Sequence, residues 1–228
     1  MVTKIYIVRH AQAEGNVKRF FQGRVDTDLS ELGYKQIKYL AERFKDINFD
    51  KIYSSPYKRA VATAEAVNKY HNLEIIKNEK LAEIDGGKLE GMQWTEIDEK
   101  YPVESEKWKM QINDFQAPGG ENLEDVFKRL GKAVTELAEE NAGKTIVISS
   151  HGCAIRAFLC FAEFGDLSRI YDVGWVDNTS VSYLEYENGK YKVIFKNDVS
   201  HLPDGLYTPT SAIWNNSQEY LEKMKGKK

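Results

Sequence analysis

The hydrophobic and polar positions of this chain follow two spacings, one typical of buried strands and one typical of amphipathic helices. Apolar runs at 5–8 and 145–150 are each followed by a histidine, His10 and His151 respectively. Longer segments place apolar residues at every third or fourth position, as in a helix with one buried face. Because strand and helix patterns alternate along the chain, we predict an α/β fold.

The clearest helix is predicted between Asn122 and Asn141, and Gly143 is a suitable stop for it. Its apolar residues recur with the i, i+3, i+4, i+7 spacing of one helix face. They are Leu123, Val126, Phe127, Leu130, Val134, Leu137 and Ala138.

The remaining elements are predicted from shorter patterns. Asn188-Gly189 is a strong hairpin signal and predicts antiparallel strands at 180–186 and 191–195. Ser30 is a suitable N-cap for a helix that continues to Phe44. The other predicted elements are helices at 58–70 and 154–164 and strands at 52–53 and 73–76.

The chain shows no internal repeat and no linker rich in Pro, Gly or Ser. We therefore expect a single domain over residues 1–228, with a small helical cap insertion at 91–117 and a C-terminal tail at 208–228. The expected architecture has three layers, with an open, mostly parallel sheet between helices on both faces.

Composition and charge narrow the classes of function. The chain has 228 residues, of which 42% are hydrophobic and 29% are charged, as in ordinary globular proteins. A net charge of −3 gives no basic surplus for nucleic-acid binding. No run of about 18 apolar residues predicts a membrane span, and the N-terminus carries no signal-peptide pattern. We expect a cytoplasmic protein without membrane or nucleic-acid partners.

The two cysteines, Cys153 and Cys160, form no CxxC pair and predict no disulfide framework. We expect them to be small apolar residues of the helix after His151. The sequence does not determine the oligomeric state, and a homodimer remains open.

Basic residues that suit phosphate chemistry follow three apolar strands, at the sheet edge where α/β folds bind ligands. Arg9 and His10 follow the first strand, Arg59 follows the second at a helix start, and His151 follows the strand at 145–150. Histidine can serve as a nucleophile, and arginine binds phosphate oxygens bidentately. Each residue alone has a structural explanation, so the prediction of a phosphate site rests on their joint placement.

The other two histidines, His71 and His201, lie in polar surroundings, and we expect both at the surface. No HxH, HxxxH or His/Cys cluster with metal-ligand spacing is present, so we expect neither a metal nor a cofactor.

The segment from Arg9 to Asn16 resembles the signature of the histidine phosphatase superfamily, which includes the cofactor-dependent phosphoglycerate mutases. The resemblance spans roughly residues 4–160, with further motifs in the family's order. These motifs are 22–24, 28–30 with Gly33, 54–60 with 63–64, 81–83 with Gly87 and 90–91, 118–121, and 150–152.

The resemblance implies a phosphoglycerate mutase-like fold and a role for each of five catalytic residues. His10 would be the phosphorylated nucleophile. Arg9, Arg59 and His151 would hold the phosphoryl group. Glu83 would protonate the leaving oxygen, a role that burial or a nearby phosphate dianion can support.

Two other carboxylates, Glu79 and Asp85, are rivals for the acid role, although the motif favours Glu83. The resemblance also implies a set of residues that contact the substrate. These are Asn16, Gln22, Gly23, Arg24 and Gly152.

The sequence favours a phosphomonoesterase that hydrolyses a small phosphorylated metabolite through a phosphohistidine on His10. By resemblance, mutases carry a long insertion before the Pro-Gly-Gly-Glu motif, whereas the span 91–117 is short and leaves easier access for water. The alternatives are a cofactor-dependent phosphoglycerate mutase, a metal-dependent hydrolase and a catalytically silent phosphate-binding module. Sugar phosphates, phosphoglycerates and a ribazole phosphate all remain open as substrates. Candidate contacts to the leaving group are Arg24, Lys88, Trp94, Trp108 and Lys109.

Overall fold

The computed structural model describes residues 1–210, which form one six-stranded sheet flanked by helices. The spatial order of the strands, numbered along the chain, is 3-2-4-1-5-6. The strands are β1 (Thr3–Arg9), β2 (Lys51–Ser54), β3 (Ile75–Lys77), β4 (Thr145–Ser150), β5 (Val181–Glu187) and β6 (Lys190–Asp198).

The sheet is mixed, with a parallel part and an antiparallel hairpin at one side. Strands β3, β2, β4 and β1 pair in parallel, whereas β5 runs antiparallel to β1 and β6 antiparallel to β5. The register of β1 on β4 pairs Arg9 with Ser150. As a result, His10 and His151 leave the sheet side by side at its carboxyl edge.

Helices cover both faces of the sheet, and each face has its own apolar core. Helices α2 and α3 pack with Val8, Ile52 and Val147 on one face, while α6 and α7 pack with Ile5 and Ile146 on the other. The predicted three-layer α/β architecture is therefore confirmed. The helices are α1 (Glu14–Lys18), α2 (Glu31–Phe44), α3 (Lys58–Val67), α4 (Trp94–Lys100), α5 (Pro102–Met110), α6 (Leu123–Glu140) and α7 (Gly152–Phe164), and short 3-10 helices lie at Glu79–Leu81, Gly87–Leu89, Ile112–Asp114 and Leu167–Asp172.

Helix α6 confirms the prediction from its apolar stripe, because all seven stripe residues are buried. A capping box begins the helix. The Asn122 side chain accepts a hydrogen bond from the Asp125 N–H at 2.8 Å, and the Asp125 side chain accepts one from the Asn122 N–H at 3.3 Å. Arg129 of the same helix binds the Glu121 carboxylate at 2.8 Å and so connects the helix to the 118–121 turn.

Most other predicted elements lie within a few residues of their expected bounds. Helix α3 ends at Val67, three residues earlier than expected, where the Asn68 side chain caps the turn against Leu73. The hairpin between β5 and β6 turns at Asn188 and Gly189, whose φ angles of 52° and 77° suit the tight turn predicted there. The short helix α1 and the 3-10 helices carry too few residues for a periodic pattern.

The prediction that His71 and His201 lie at the surface was wrong, since both are half-buried. Nε2 of His71 donates to the Phe44 carbonyl at 2.9 Å, and its ring packs on Phe49. His201 contacts the Arg43 guanidinium, and burial together with that charge lowers its pKa to about 4. Cys153 and Cys160 are buried free thiols of α7, as expected.

The span 91–117 contains α4, α5 and the 3-10 helix at Ile112–Asp114. Its aromatic side chains pack on Phe21, beside the sheet edge that carries the histidines. Within residues 1–210, no helix is long and apolar enough to cross a membrane. The predicted tail at 208–228 lies outside the described residues, apart from its first three positions.

Candidate active site

A cleft opens at the carboxyl edge of the parallel strands, where the first turns after β1 and β4 meet α3 and the cap. It has one end made of histidine, arginine and glutamate side chains and another end made of aromatic rings. The described residues that line it include Arg9, His10, Asn16, Arg19, Phe20, Phe21, Gln22, Gly23, Arg59, Glu83, Trp94, Trp108, Gly152, Trp175, Asn178 and Thr210.

His10 is only 3% exposed, and its ring has a defined tautomer. Its Nδ1 lies 2.7 Å from the Ala11 carbonyl oxygen. Because a carbonyl only accepts, Nδ1 carries the proton and Nε2 keeps its lone pair. Burial, followed by the charges of Arg59 and Arg9, holds the pKa of His10 well below its usual 6.5. His10 is therefore a neutral imidazole at neutral pH, and its nucleophilic Nε2 has no hydrogen-bond partner among residues 1–210.

The backbone around His10 is held by residues that sequence reasoning missed. The side-chain amide of Asn178 donates to the His10 carbonyl at 3.0 Å. The backbone N–H of Thr179 donates to the Arg9 carbonyl at 3.1 Å. On the other side, Thr63 of α3 accepts the Ala11 N–H at 3.0 Å. Asn178 lies in the loop before β5, and no local sequence motif predicts its contact with His10.

Arg59 is 1% exposed and lies in the first turn of α3. Its guanidinium donates to the carbonyls of Val25 and Gly23, at 2.6 Å and 2.7 Å. The ring of Tyr57 lies 5.4 Å below it. Burial lowers the pKa of Arg59 to about 10, so the group stays charged at neutral pH.

Arg9 lies at the end of β1 and is likewise buried. One nitrogen of its guanidinium donates to the carbonyl of Val176 and to the hydroxyl of Thr210, each at 2.5 Å. Gly152 leaves room for this group, since a Cβ there would lie 3.2 Å from the guanidinium carbon. Burial lowers the pKa of Arg9 to about 10, and the carboxylate of Glu83 opposes that shift.

His151 is fully buried beside His10, with the two ring centroids 5.2 Å apart. Its Nε2 contacts the Ser55 hydroxyl at 2.7 Å, at the end of β2. Burial and the charge of Arg59 hold the pKa of His151 well below 6.5. Three buried nitrogens beside His10 have no hydrogen-bond partner among residues 1–210, namely Arg9 Nε, Arg59 Nε and His151 Nδ1. Such orphaned groups are costly unless an anion pairs with them.

Glu83 lies at the N-terminus of α7, where three backbone N–H groups hold its carboxylate. Oε1 accepts from Ile84 and Ala154 at 2.9 Å, and Oε2 accepts from Cys153 at 3.1 Å. A helix N-terminus favours a carboxylate in this place. The rival Glu79 is exposed and does not line the cleft.

The segment that carries Glu83 is itself held by an ion pair behind it. Arg129 of α6 donates to the carbonyls of Lys80, Ala82 and Glu83, at 3.0, 2.9 and 3.3 Å. It also pairs with the Glu121 carboxylate at 2.8 Å, which in turn accepts the backbone N–H of Asp85 at 2.9 Å.

The structure does not place Arg24 at the cleft wall. Its guanidinium pairs with the carboxylates of Asp85 and Glu121, each at 3.3 Å. Asp85, the second rival for the acid role, is engaged in this pair and does not line the cleft. The prediction of a substrate contact for Arg24 missed these ion pairs because its partners lie far away in sequence.

The remaining predicted contacts divide into two groups. Asn16, Gln22, Gly23 and Gly152 line the cleft, as do Trp94 and Trp108. Lys88 is exposed, and the Lys109 ammonium is bound to Asp98. Within residues 1–210 no group of three or more His, Cys, Asp or Glu side chains has metal-binding geometry.

Comparison with known proteins agrees with a phosphoryl-transfer site. The profile of the histidine phosphatase superfamily (branch 1) matches residues 5–199. Phosphoserine phosphatase 1 of Hydrogenobacter thermophilus is 36% identical over 93% of this chain and 100% of its own length. The metal-independent phosphoserine phosphatase of Arabidopsis thaliana is 31% identical over 88% of this chain and 84% of its own. The solved structure of Bacillus stearothermophilus YhfR superposes with a TM-score of 0.83 at 30% identity, covering 87% of this chain and 98% of that one.

A buried neutral histidine between two guanidiniums, at the carboxyl edge of a mixed α/β sheet, defines a phosphatase-type site. The chain belongs to the histidine phosphatase superfamily, branch 1. Its fold is that of the phosphoglycerate mutase-like proteins, as the solved mutase of Bacillus anthracis shows with a TM-score of 0.76 at 27% identity over 88% of this chain and 95% of that one. The enzyme is a phosphatase.

Proposed function

We propose that this enzyme hydrolyses phosphomonoesters of small metabolites through a phosphohistidine on His10, without a metal ion. The observation that carries the proposal is the neutral His10 ring, fixed with Nε2 unprotonated, beside three buried nitrogens that lack partners within residues 1–210. A phosphate group would pair with those nitrogens and present its phosphorus atom to Nε2.

In the first step, Nε2 of His10 attacks phosphorus and the bond to the ester oxygen breaks. Arg9, Arg59 and His151 hold the non-bridging oxygens and stabilise their charge. Glu83, which takes up a proton when the phosphate dianion binds beside it, gives that proton to the leaving oxygen, which departs as an alcohol. The products of this step are the alcohol, phosphohistidine and the Glu83 carboxylate.

In the second step, water attacks the phosphohistidine. Glu83 now accepts a proton from that water, so the same side chain serves as acid and then as base. The bond between phosphorus and Nε2 breaks, and inorganic phosphate leaves. The Nδ1 bond to Ala11 keeps the proton on the far side of the ring throughout, so Nε2 is ready for the next ester.

Two observations favour hydrolysis over the mutase alternative. The cap at 91–117 holds only two helices and one short 3-10 helix, and a cap this short favours the access of water to a phosphohistidine. Relatives over most of this chain are named phosphoserine phosphatases, and the Entamoeba histolytica phosphoserine phosphatase has been solved with 3-phosphoglyceric acid. We propose that residues 1–228 belong to one catalytic domain, with 91–117 as its cap.

The test measures phosphate release from a panel of phosphomonoesters that includes phosphoserine and 3-phosphoglycerate. We expect release that persists in excess chelator and is abolished by His10→Ala. His71→Ala, which removes a histidine outside the cleft, is the matched control and should retain turnover. Isomerisation of 3-phosphoglycerate without free phosphate would establish the mutase alternative instead.

A further inference from the structure

The end of the cleft away from His10 is walled by aromatic rings from three separate parts of the chain. Phe20 and Phe21 come from the loop after α1, Trp94 and Trp108 come from the cap, and Trp175 comes from the loop before β5. Phe20, Trp94 and Trp175 are half-buried, so part of each ring remains accessible. This surface is where the leaving group of a bound ester would lie.

Four of these rings pack on one another and form a connected set, namely those of Phe21, Trp94, Trp108 and Trp175. The ring of Phe21 lies 5.4 Å from that of Trp94 and 4.9 Å from that of Trp108. Trp108 in turn lies 5.8 Å from Trp175. Behind them, the ring of Phe115 lies 4.8 Å from Trp108. A wall held in this way loses little entropy when a flat ligand packs on it.

The described residues around this wall include no carboxylate partner for the ammonium group of an amino-acid leaving group, although the cation Arg19 lines the same cleft. Glu83 is the only carboxylate among the described residues that line the cleft, and backbone N–H groups hold it. The nearby acidic side chains of Asp85 and Glu121 bind Arg24 and do not line the cleft. Glu90 accepts the backbone N–H groups of Arg24 and Gly86. Among residues 1–210, an ammonium group on the substrate would therefore find no carboxylate of its own at this end.

We propose that the preferred substrates are phosphomonoesters whose leaving group carries a flat aromatic ring, which packs on the wall of Phe20, Trp94 and Trp175. The inference rests on the proposed function, because it concerns the same cleft. Ring-on-ring packing adds to the burial of apolar area and favours such a group over a zwitterionic one of similar size.

The first experiment compares kcat/KM for 2-phenylethyl phosphate and phosphoserine. Both are esters of primary alcohols, so a difference reports mainly the fit of the leaving group. We expect kcat/KM to be about tenfold or more higher for the phenylethyl ester, the scale set by one aromatic contact plus ring burial. Equal values, or a preference for phosphoserine, would overturn the inference and leave the proposed function standing. Failure to release phosphate from any ester would reject the proposed function itself.

The second experiment measures the same ratio of kcat/KM values in Trp94→Ala and Trp94→Phe. A ratio taken on one preparation does not depend on the fraction of folded enzyme. We expect Trp94→Ala to reduce the ratio several-fold, mainly through KM for the phenylethyl ester, and Trp94→Phe to keep most of it. Tyr39→Ala, at an exposed ring on the outer face of α2, is the control and should leave the ratio unchanged. A ratio unaffected by Trp94→Ala would contradict a contact between this wall and the leaving group.

Discussion

The two ends of the cleft are built in different ways. At the phosphate end, each group lies beside the end of a strand or the start of a helix. Hydrogen bonds to backbone groups, or to the Ser55 hydroxyl in the case of His151, fix its position. At the leaving-group end, the surface is made of rings from a loop, the cap and a second loop. The phosphate end is therefore formed by the sheet and the helices next to it, whereas the leaving-group end is formed by two loops and the cap.

Because the two ends belong to different parts of the fold, different residues determine the reaction and the preference for a substrate. The register of β1 on β4 sets the distance between His10 and His151, so the sheet itself determines the reacting geometry. The aromatic wall is formed by Phe20, Trp94 and Trp175, which lie outside the sheet. Changes at the wall should therefore alter which esters react, whereas changes at strand ends should alter whether any ester reacts.

The largest effect in this comparison is expected from Glu83→Gln, at the junction of the two ends. For an alkyl ester such as 2-phenylethyl phosphate, kcat/KM should fall by about 10²-fold or more, because the leaving alkoxide needs a proton. For p-nitrophenyl phosphate, whose leaving group is stable as an anion, the loss in kcat/KM should be much smaller. The control is Glu79→Gln, which removes an exposed carboxylate from the same segment. Equal losses on both esters would show that Glu83 is not the acid.

A smaller effect of the same type is expected from Arg129→Met. This change removes three hydrogen bonds to the segment that carries Glu83 and leaves Glu121 without one of its partners. We expect kcat/KM for the alkyl ester to fall about tenfold, on the scale of one lost charged hydrogen bond, with a smaller fall for p-nitrophenyl phosphate. Lys132→Met, at an exposed position of α6, is the control. A uniform loss on both esters, matched by a lower Tm, would assign Arg129 to stability alone.

The smallest expected effect is a lowered pKa of His10 and His151, which can be measured at the phosphate end without substrate. NMR titration of labelled histidine rings should give midpoints below 6.5 for His10 and His151, because burial and the neighbouring guanidiniums disfavour the charged rings. Since the unfolded chain then binds more protons, the free energy of unfolding should fall as the pH drops below 6.5. Half-buried His201, with a pKa of about 4, adds to that loss.

His10→Ala and His201→Ala should each identify one resonance, and each should weaken the dependence of the unfolding free energy on pH. Midpoints at or above 6.5 for His10 would contradict a neutral nucleophile.

The contrast between the two ends also explains which parts of the fold and of the site could be predicted from the sequence. The strand at β4 and the helix at α6 could be predicted almost residue by residue, because their burial patterns are local. The meeting of Arg9, His10, Arg59 and His151 followed from a general rule, that parallel strands end at one edge. Motif resemblance then singled out Glu83.

Other parts of the cleft could not be found in this way. Asn178 and Thr210 reach the phosphate end from a loop and from the last described segment, and their positions depend on tertiary contacts with Arg9 and His10. Arg24 is basic and lies within a motif, yet its partners Asp85 and Glu121 are distant in sequence. Trp175 stands in a loop without any periodic pattern, so its place in the wall became visible only in three dimensions.

In the proposed mechanism, His10 Nε2 carries the phosphoryl group during turnover. Rapid quenching of the enzyme with a ³²P-labelled phosphomonoester, followed by peptide mapping under alkaline conditions, tests it most directly. We expect an acid-labile, base-stable label on the peptide that contains His10, absent in His10→Ala and present in His71→Ala. A label on any other residue, or full turnover by His10→Ala without a labelled intermediate, would contradict it.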